Sequence, residues 1–161
     1  MDGVVIPTAN AEGDVRYGMA TLEKAILIAV EAHQGQKDKA GDPYILHPLR
    51  VMLWMSSETE RIAGVLHDIV EDSGRTMADL KKEGFSEKVL EVIDCLTRRE
   101  KEDYEEFIGR VQLNPAARKV KIADLEDNMD ILRISEPTGK DWERLKKYHR
   151  AWQRLKGEIT G

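Results

Sequence analysis

The chain has 161 residues, 25 Lys+Arg against 30 Asp+Glu, a net charge of -5, 34% charged residues and a single cysteine. That length fits one domain whose core can stand without disulfides. The acidic balance speaks against a nucleic-acid partner, and one cysteine excludes a disulfide scaffold or a Cys-based zinc site and suits a reducing, cytoplasmic compartment.

Residues 1–18, MDGVVIPTANAEGDVRYG, have no sustained period and lack the basic, apolar and small-residue pattern of a signal peptide. They are predicted to form a flexible arm, with the domain running from 19 to 161. TLEKAILIAVEAH (Thr21–His33) opens with a Thr cap and predicts the first helix. Its apolar run AILIAV is far short of the roughly 18 residues that span a bilayer, so no membrane association is expected. His33 falls on the buried side with Leu22, Ile26 and Ala29. Such a histidine is either a satisfied core residue or, equally inward, a ligand in a bundle core.

QKDKAGDPYI (36–45) reads as a loop broken by Gly41 and Pro43. His47 precedes Pro48 at the next helix start and is read as a structural or supporting residue that caps the helix and places the loop. ETERIAGVLHDIVEDS (58–73) is predicted as one helix. At about 100° per residue, His67, Asp68, Glu71 and Asp72 share roughly 140° of arc opposite Ile62, Val65, Leu66, Ile69 and Val70. Three carboxylates with no interleaved Lys or Arg repel one another unless a cation is present; the alternative is an acidic exposed face.

TMADLKKEG, SEKVLEVIDCLTRRE, DYEEFIGRVQL, PAARKVKIADLEDNMDILRI and DWERLKKYHRAWQRLKGE follow, and no alternating β pattern of useful length appears. The prediction is an all-α helical bundle of about seven to eight helices. Cys95 reads as a packed thiol. Arg98, Arg99 and Lys101 form a solvated basic turn or a phosphate contact. Asp124 and Asn128, at i and i+4, share a face in apolar surroundings, where an unpaired carboxylate is costly; a salt bridge to Lys121 is the competing account. The stripe Trp142, Leu145, Tyr148, His149, Trp152 and Leu155 is core or a self-association face, which leaves a homodimer open.

His33, His67, Asp68 and Asp124 together make a two-histidine, two-aspartate set from three helices. These donors suit one first-row divalent ion such as manganese, iron or zinc, and do not suit calcium. Open positions on such an ion admit water and a phosphoryl oxygen.

AHQGQ, DKAGDPYILHP, VLHDIVEDS and KIADLEDNM, in this order and spacing, resemble the HD-domain metal-dependent phosphohydrolases. The chain is most similar to the (p)ppGpp hydrolase domain of RelA/SpoT-type proteins and to single-domain small alarmone hydrolases, over about Leu22 to Leu132. The resemblance implies an HD-domain helical bundle with manganese on His33, His67, Asp68 and Asp124. It implies Glu71 and Asp72 as the acid pair that assists water attack, and Lys24, Lys39, Tyr44 and Asn128 as nucleotide-binding residues. The implied reaction is removal of the 3′-pyrophosphate of guanosine-3′,5′-bis(diphosphate), with no synthetase domain expected in this polypeptide. The chain departs from the pattern at Asp38-Lys39, where Arg-Lys is usual, and at Leu125-Glu126-Asp127, which is commonly basic. Two cations that would meet substrate phosphates are thus replaced. Alternatives are an HD phosphohydrolase for another nucleotide or phosphoester, and a non-catalytic HD nucleotide-binding module. The Glu71-Asp72 pair favours catalysis, because mere binding does not require both carboxylates.

Overall fold

Side-chain caps written into the sequence start most of the helices in the computed structural model, which describes residues 20–157. The predicted arm at 1–18 lies outside the described residues. Thr21 accepts from the Lys24 amide at the head of α1 (Leu22–Ala32). Reciprocal capping boxes open α3 (Glu58–Leu66) through Ser57 and Glu60, α5 (Met77–Lys82) through Thr76 and Asp79, and α7 (Tyr104–Gln112) through Asp103 and Glu106. Ser86 caps α6 (Glu87–Leu96), Asn114 with Pro115 opens α8 (Pro115–Asn128), and Thr138 with Asp141 opens α9 (Gly139–Lys156). α2 (Leu46–Leu53) and the single turn α4 (Ile69–Asp72) have no side-chain cap. Among the described residues the only β pairing is an isolated bridge between Lys37 and Pro43 that pins the loop between α1 and α2.

Two predicted helices are shorter than expected. The last turns of PAARKVKIADLEDNMDILRI leave α8 at Asn128 and continue as a 3-10 turn, Ile131–Arg133. The helix expected over 58–73 breaks at His67 and Asp68, between α3 and α4. His67 Nδ1 meets the Gly64 carbonyl at 2.7 Å, and Asp68 sits at φ -96°, ψ -2°. Leu66 and Ile69, which flank the break, are both fully buried. Burial of each is worth about 1.5–3 kcal/mol, which outweighs the roughly 0.5–1.5 kcal/mol of each helical hydrogen bond forgone. The break is therefore held by packing on both sides.

α3 is the central helix and packs on α1, α2, α6 and α8. A Cβ on Gly64 would lie 3.2 Å from Met52 Cα and 3.3 Å from Met52 N. α2 and α3 approach so closely there that any side chain at 64 would push the Met52 backbone back by a few tenths of an ångström, and that approach carries His47 toward His67. Along α9, Ala151 and Leu155 are buried and Tyr148 and Trp152 pack against the core, whereas Trp142 and His149 are exposed. The aromatic stripe is thus core at its C-terminal end. Cys95 packs half-buried against the core. No helix among the described residues is long and apolar enough to cross a membrane.

Candidate metal centre and adjoining pocket

Three elements converge on one point. α2 supplies His47 in its first turn, the α3–α4 break supplies His67 and Asp68, and α8 supplies Asp124. His47 Nε2 lies 3.3 Å from His67 Nε2, 3.1 Å from Asp124 Oδ1 and 3.5 Å from Asp68 Oδ2. His67 Nε2 lies 3.0 Å from Asp68 Oδ2 and 3.4 Å from Asp124 Oδ1. His47, His67 and Asp124 are buried and place one donor atom each within 4.8 Å of the others.

The second histidine in this cluster is His47, where the sequence pattern put His33 in the ligand set and His47 at a helix cap, a place that Ile45 takes. His33 is as deeply buried, but its Nδ1 is 2.8 Å from Gln36 Oε1 and its Nε2 has no hydrogen-bonding partner. No carboxylate or imidazole of the cluster stands within reach of it. The physical reason is the loop 36–45, which brings Gln36 to His33 Nδ1 and packs Tyr44 on both rings, its centroid 4.9 Å from that of His33 and 5.7 Å from that of His47. Sequence reasoning had a usable signal in the YILHP stretch, because a buried His-Pro helix start next to an acidic helix is a ligand candidate.

The donor chemistry fits a divalent ion. His47 Nδ1 is 2.6 Å from Asp127 Oδ2 and His67 Nδ1 is 2.7 Å from the Gly64 carbonyl. Both acceptors can only accept, so both Nδ1 atoms carry protons and both Nε2 atoms turn toward the shared point. Donors about 2.0–2.2 Å from one ion stand about 2.8–3.6 Å apart, from octahedral to tetrahedral angles, and the separations above fall in that range. Burial opposes charge on both rings, but Asp124, Asp127 and Asp68 push His47 up to about 11, and Asp68 and Asp124 push His67 up to about 9. Burial also opposes charge on the carboxylates, yet His67 holds Asp68 low and Lys121 with the two histidines holds Asp124 low. The aspartates that hold a proton on each ring would equally hold a divalent ion in place of the Nε2 protons. Lys121 Nζ meets Asp124 Oδ2 at 2.6 Å, so the predicted alternative for Asp124 and its place in the cluster hold together, one oxygen serving each.

Glu71 and Asp72 occupy α4 beside this point. Glu71 Oε1 accepts from the Arg98 amide at 2.5 Å. Tyr44 Oη donates to Asp68 Oδ2 at 2.5 Å and lies 3.3 Å from Asp72 Oδ2. Burial first, then the charge of Asp68, raises the Asp72 carboxyl above its ordinary value, which readies it to take up a proton. Gln36 Nε2 donates to the Asp72 carbonyl at 3.1 Å. His33, through Gln36, thus braces the turn that carries the acid pair.

Lys39, Tyr44 and Asn128 line a hollow of about 310 Å³ together with Arg133, Arg144 and Tyr148. Tyr44, Asn128 and Tyr148 also line a second hollow, about 270 Å³, whose wall holds the carboxylates Asp68, Glu71, Asp72 and Asp124 and the cations Arg98, Lys121 and Lys147. The fourth predicted substrate residue, Lys24, is elsewhere. Its Nζ bonds the Glu83 carbonyl and carboxylate, both at 2.8 Å, because the first turn of α1 faces the end of α5. Cations missed by sequence reasoning take its place. Lys147 Nζ sits 3.9 Å above the Tyr104 ring and, among the described residues, Lys147 and Arg98 have no carboxylate partner. Arg98 belongs to the basic turn read from the sequence and stands on the pocket wall.

A family model described as HD domain matches residues 25–130. The chain belongs to the HD domain family. The match contains the whole cluster, His47, His67, Asp68 and Asp124, and the acid pair. This HD domain is 34% identical over 126 residues to a GTP pyrophosphokinase of Streptomyces coelicolor, covering 70% of this chain and 15% of that protein. It is equally identical over 126 residues to a guanosine-3′,5′-bis(diphosphate) 3′-pyrophosphohydrolase of Aquifex aeolicus, covering 70% of this chain and 18% of the relative. The chain therefore spans less than a fifth of these relatives. Its fold matches the solved structure of a metazoan ortholog of SpoT that hydrolyzes ppGpp, with a TM-score of 0.68 at 24% identity over 91% of this chain and 89% of that one.

Proposed function

We propose that this HD domain is a metal-dependent phosphohydrolase that removes a pyrophosphate from a nucleotide, with guanosine-3′,5′-bis(diphosphate) as substrate and manganese as the resident ion. The observation that carries the reading is the convergence of two Nε2 atoms on two aspartates, Asp68 and Asp124, that line a hollow together with the unpaired cations Arg98 and Lys147. Relatives named for this hydrolysis supply the substrate class. Iron or zinc satisfies the same donors.

His47, His67, Asp68 and Asp124 would hold the ion. A divalent ion there supplies Lewis acidity toward a phosphoryl oxygen and lowers the pKa of water. Asp72, with its raised carboxyl, accepts the proton of the attacking water, and Glu71, anchored on the Arg98 amide, keeps the partner acid in line. Tyr44 ties Asp72 to Asp68. Asn128 donates to Asp124 Oδ1 at 2.7 Å and faces both hollows, which suits it to hold the nucleotide. Lys147 and Arg98 offset the charge of the pyrophosphoryl group under attack. A new P–O bond to water forms, the P–O3′ bond breaks, the proton held on Asp72 passes to the freed 3′ oxygen, and the products are GDP plus pyrophosphate, or GTP plus pyrophosphate from the pentaphosphate. Such a substrate and the single cysteine of the chain support a cytoplasmic reaction.

The test is release of pyrophosphate from (p)ppGpp and a panel of common nucleotides, with and without Mn2+. Changing Glu71→Gln and Asp72→Asn together is expected to lower turnover by about 10²–10⁴-fold while Mn2+ binding persists. Undiminished turnover removes the roles given to the acid pair. A protein that binds no divalent ion removes the metal centre.

A further inference from the structure

We propose that Asp127 is a positioning residue for the metal centre, its buried carboxylate holding the His47 ring with Nε2 toward His67 and Asp124, and itself held by Arg50 and by Arg133. The proposal rests on the metal reading above.

Asp127 lies on α8 one residue before the end of the helix and is 4% exposed. Its Oδ2 meets His47 Nδ1 at 2.6 Å and Arg50 Nη2 at 2.9 Å, and its Oδ1 meets Arg50 Nε at 2.5 Å. Arg50 stands one turn after His47 on α2, so one helix offers both an imidazole and a guanidinium fork to a single carboxylate. A buried ion pair alone needs only the fork. The additional bond to His47 has a chemical consequence, because a ring that gives its Nδ1 proton to a carboxylate presents its Nε2 lone pair and gains basicity as a ligand. His67 is oriented by a neutral carbonyl instead, so His47 is the stronger donor of the two.

Asp127 is also tied to the pocket. Arg133 Nη2 donates to the Asp127 carbonyl and stands 3.3 Å from its Oδ2, while Arg133 Nη1 stands 3.3 Å from Asp38 Oδ2. The other Asp38 oxygen accepts the amides of Ala40 at 2.8 Å and Asp42 at 3.0 Å, which shapes the loop that carries Lys39 and Tyr44. A chain of contacts thus runs from the pocket loop through Asp38, Arg133 and Asp127 to His47.

The experiment is a calorimetric Mn2+ titration of the full chain and of Asp127→Asn, with the Co2+ visible spectrum and the melting of the metal-free proteins alongside. Asp127→Asn is expected to weaken Mn2+ about 10–100-fold and to shift the Co2+ bands while the metal-free protein stays helical. Arg133→Gln, which removes the Arg133 contacts to Asp127, Asp38 and Asp130 and leaves those of Arg50 and His47 to Asp127 in place, is expected to give a smaller loss in the same direction. Wild-type Mn2+ affinity in a folded Asp127→Asn overturns the proposal and leaves the metal centre standing. A wild-type chain that binds neither ion overturns both. Should Asp127→Asn fail to fold, nitrogen NMR of the Zn2+-loaded wild-type chain decides. His47 protonated on Nδ1 and bound through Nε2 supports the proposal, and the opposite tautomer overturns it.

Discussion

His33 and His47 make a controlled comparison inside one molecule. They are 2% and 4% exposed, both sit at a helix end, and both place Nδ1 within 3 Å of a side-chain oxygen, Gln36 Oε1 for one and Asp127 Oδ2 for the other. They differ in what faces Nε2. For His47 it is another Nε2 and two carboxylates; for His33 it is no polar partner at all. Burial and helical face are therefore equal in a ligand and in a bracing residue. The chemistry brought opposite the second ring nitrogen separates them.

The sharpest way to break the comparison is to delete each ring. His47→Ala is expected to weaken Mn2+ by more than about 100-fold and to abolish turnover, since it removes one of four donors and leaves Asp127 without its imidazole. His33→Ala is expected to hold Mn2+ affinity within about threefold while lowering unfolding stability by about 1–3 kcal/mol, the cost of leaving buried polar groups unpaired. Calorimetry and denaturant melts read both, and loss of Mn2+ binding in His33→Ala with retention in His47→Ala would restore the ligand role to His33. Gly64→Ala comes next. Its new methyl meets the Met52 backbone, so α2 must move away from α3 at a cost of about 1–3 kcal/mol, and Mn2+ affinity falls because His47 moves with α2. Unchanged Mn2+ affinity would mean that the spacing of α2 and α3 does not set the site. Lys24→Ala should matter least, with a stability loss of about 0–1 kcal/mol for its partly exposed pair with Glu83 and no change in KM. A raised KM would return Lys24 to the pocket.

Much of the fold was legible because its signals are local. Ser57 with Glu60, Asp103 with Glu106 and Asn114 with Pro115 mark helix starts within four residues of sequence, and the structure uses each of them. The acidic cluster at Asp68, Glu71 and Asp72 was equally legible as a group needing a cation, although a continuous helix was the wrong vehicle for it. The break at His67 arises from a ring-to-carbonyl bond and from flanking side chains buried by other helices, neither of which a periodic pattern records. Lys24 was misplaced for a related reason. Its charge and position suited a phosphate, but the approach of Glu83 from α5 claims it.

The pocket cations teach the same lesson. Asp38 stands where an arginine is usual, and read along the chain it looks like a lost phosphate contact. Folded, it pairs with Arg133, and the unpaired charge of the pocket comes from Lys147 on α9 and Arg98 after α6. By itself, then, the amino-acid sequence determined an all-helical HD domain, its caps and the chemical kind of its centre, because caps, periodicity and motif spacing act over a few residues. Which histidine joins that centre, and which cations face it, was decided only by tertiary structure. Ligation and charge pairing depend on atoms a few ångströms apart in space that lie 20 to 80 positions apart along the chain.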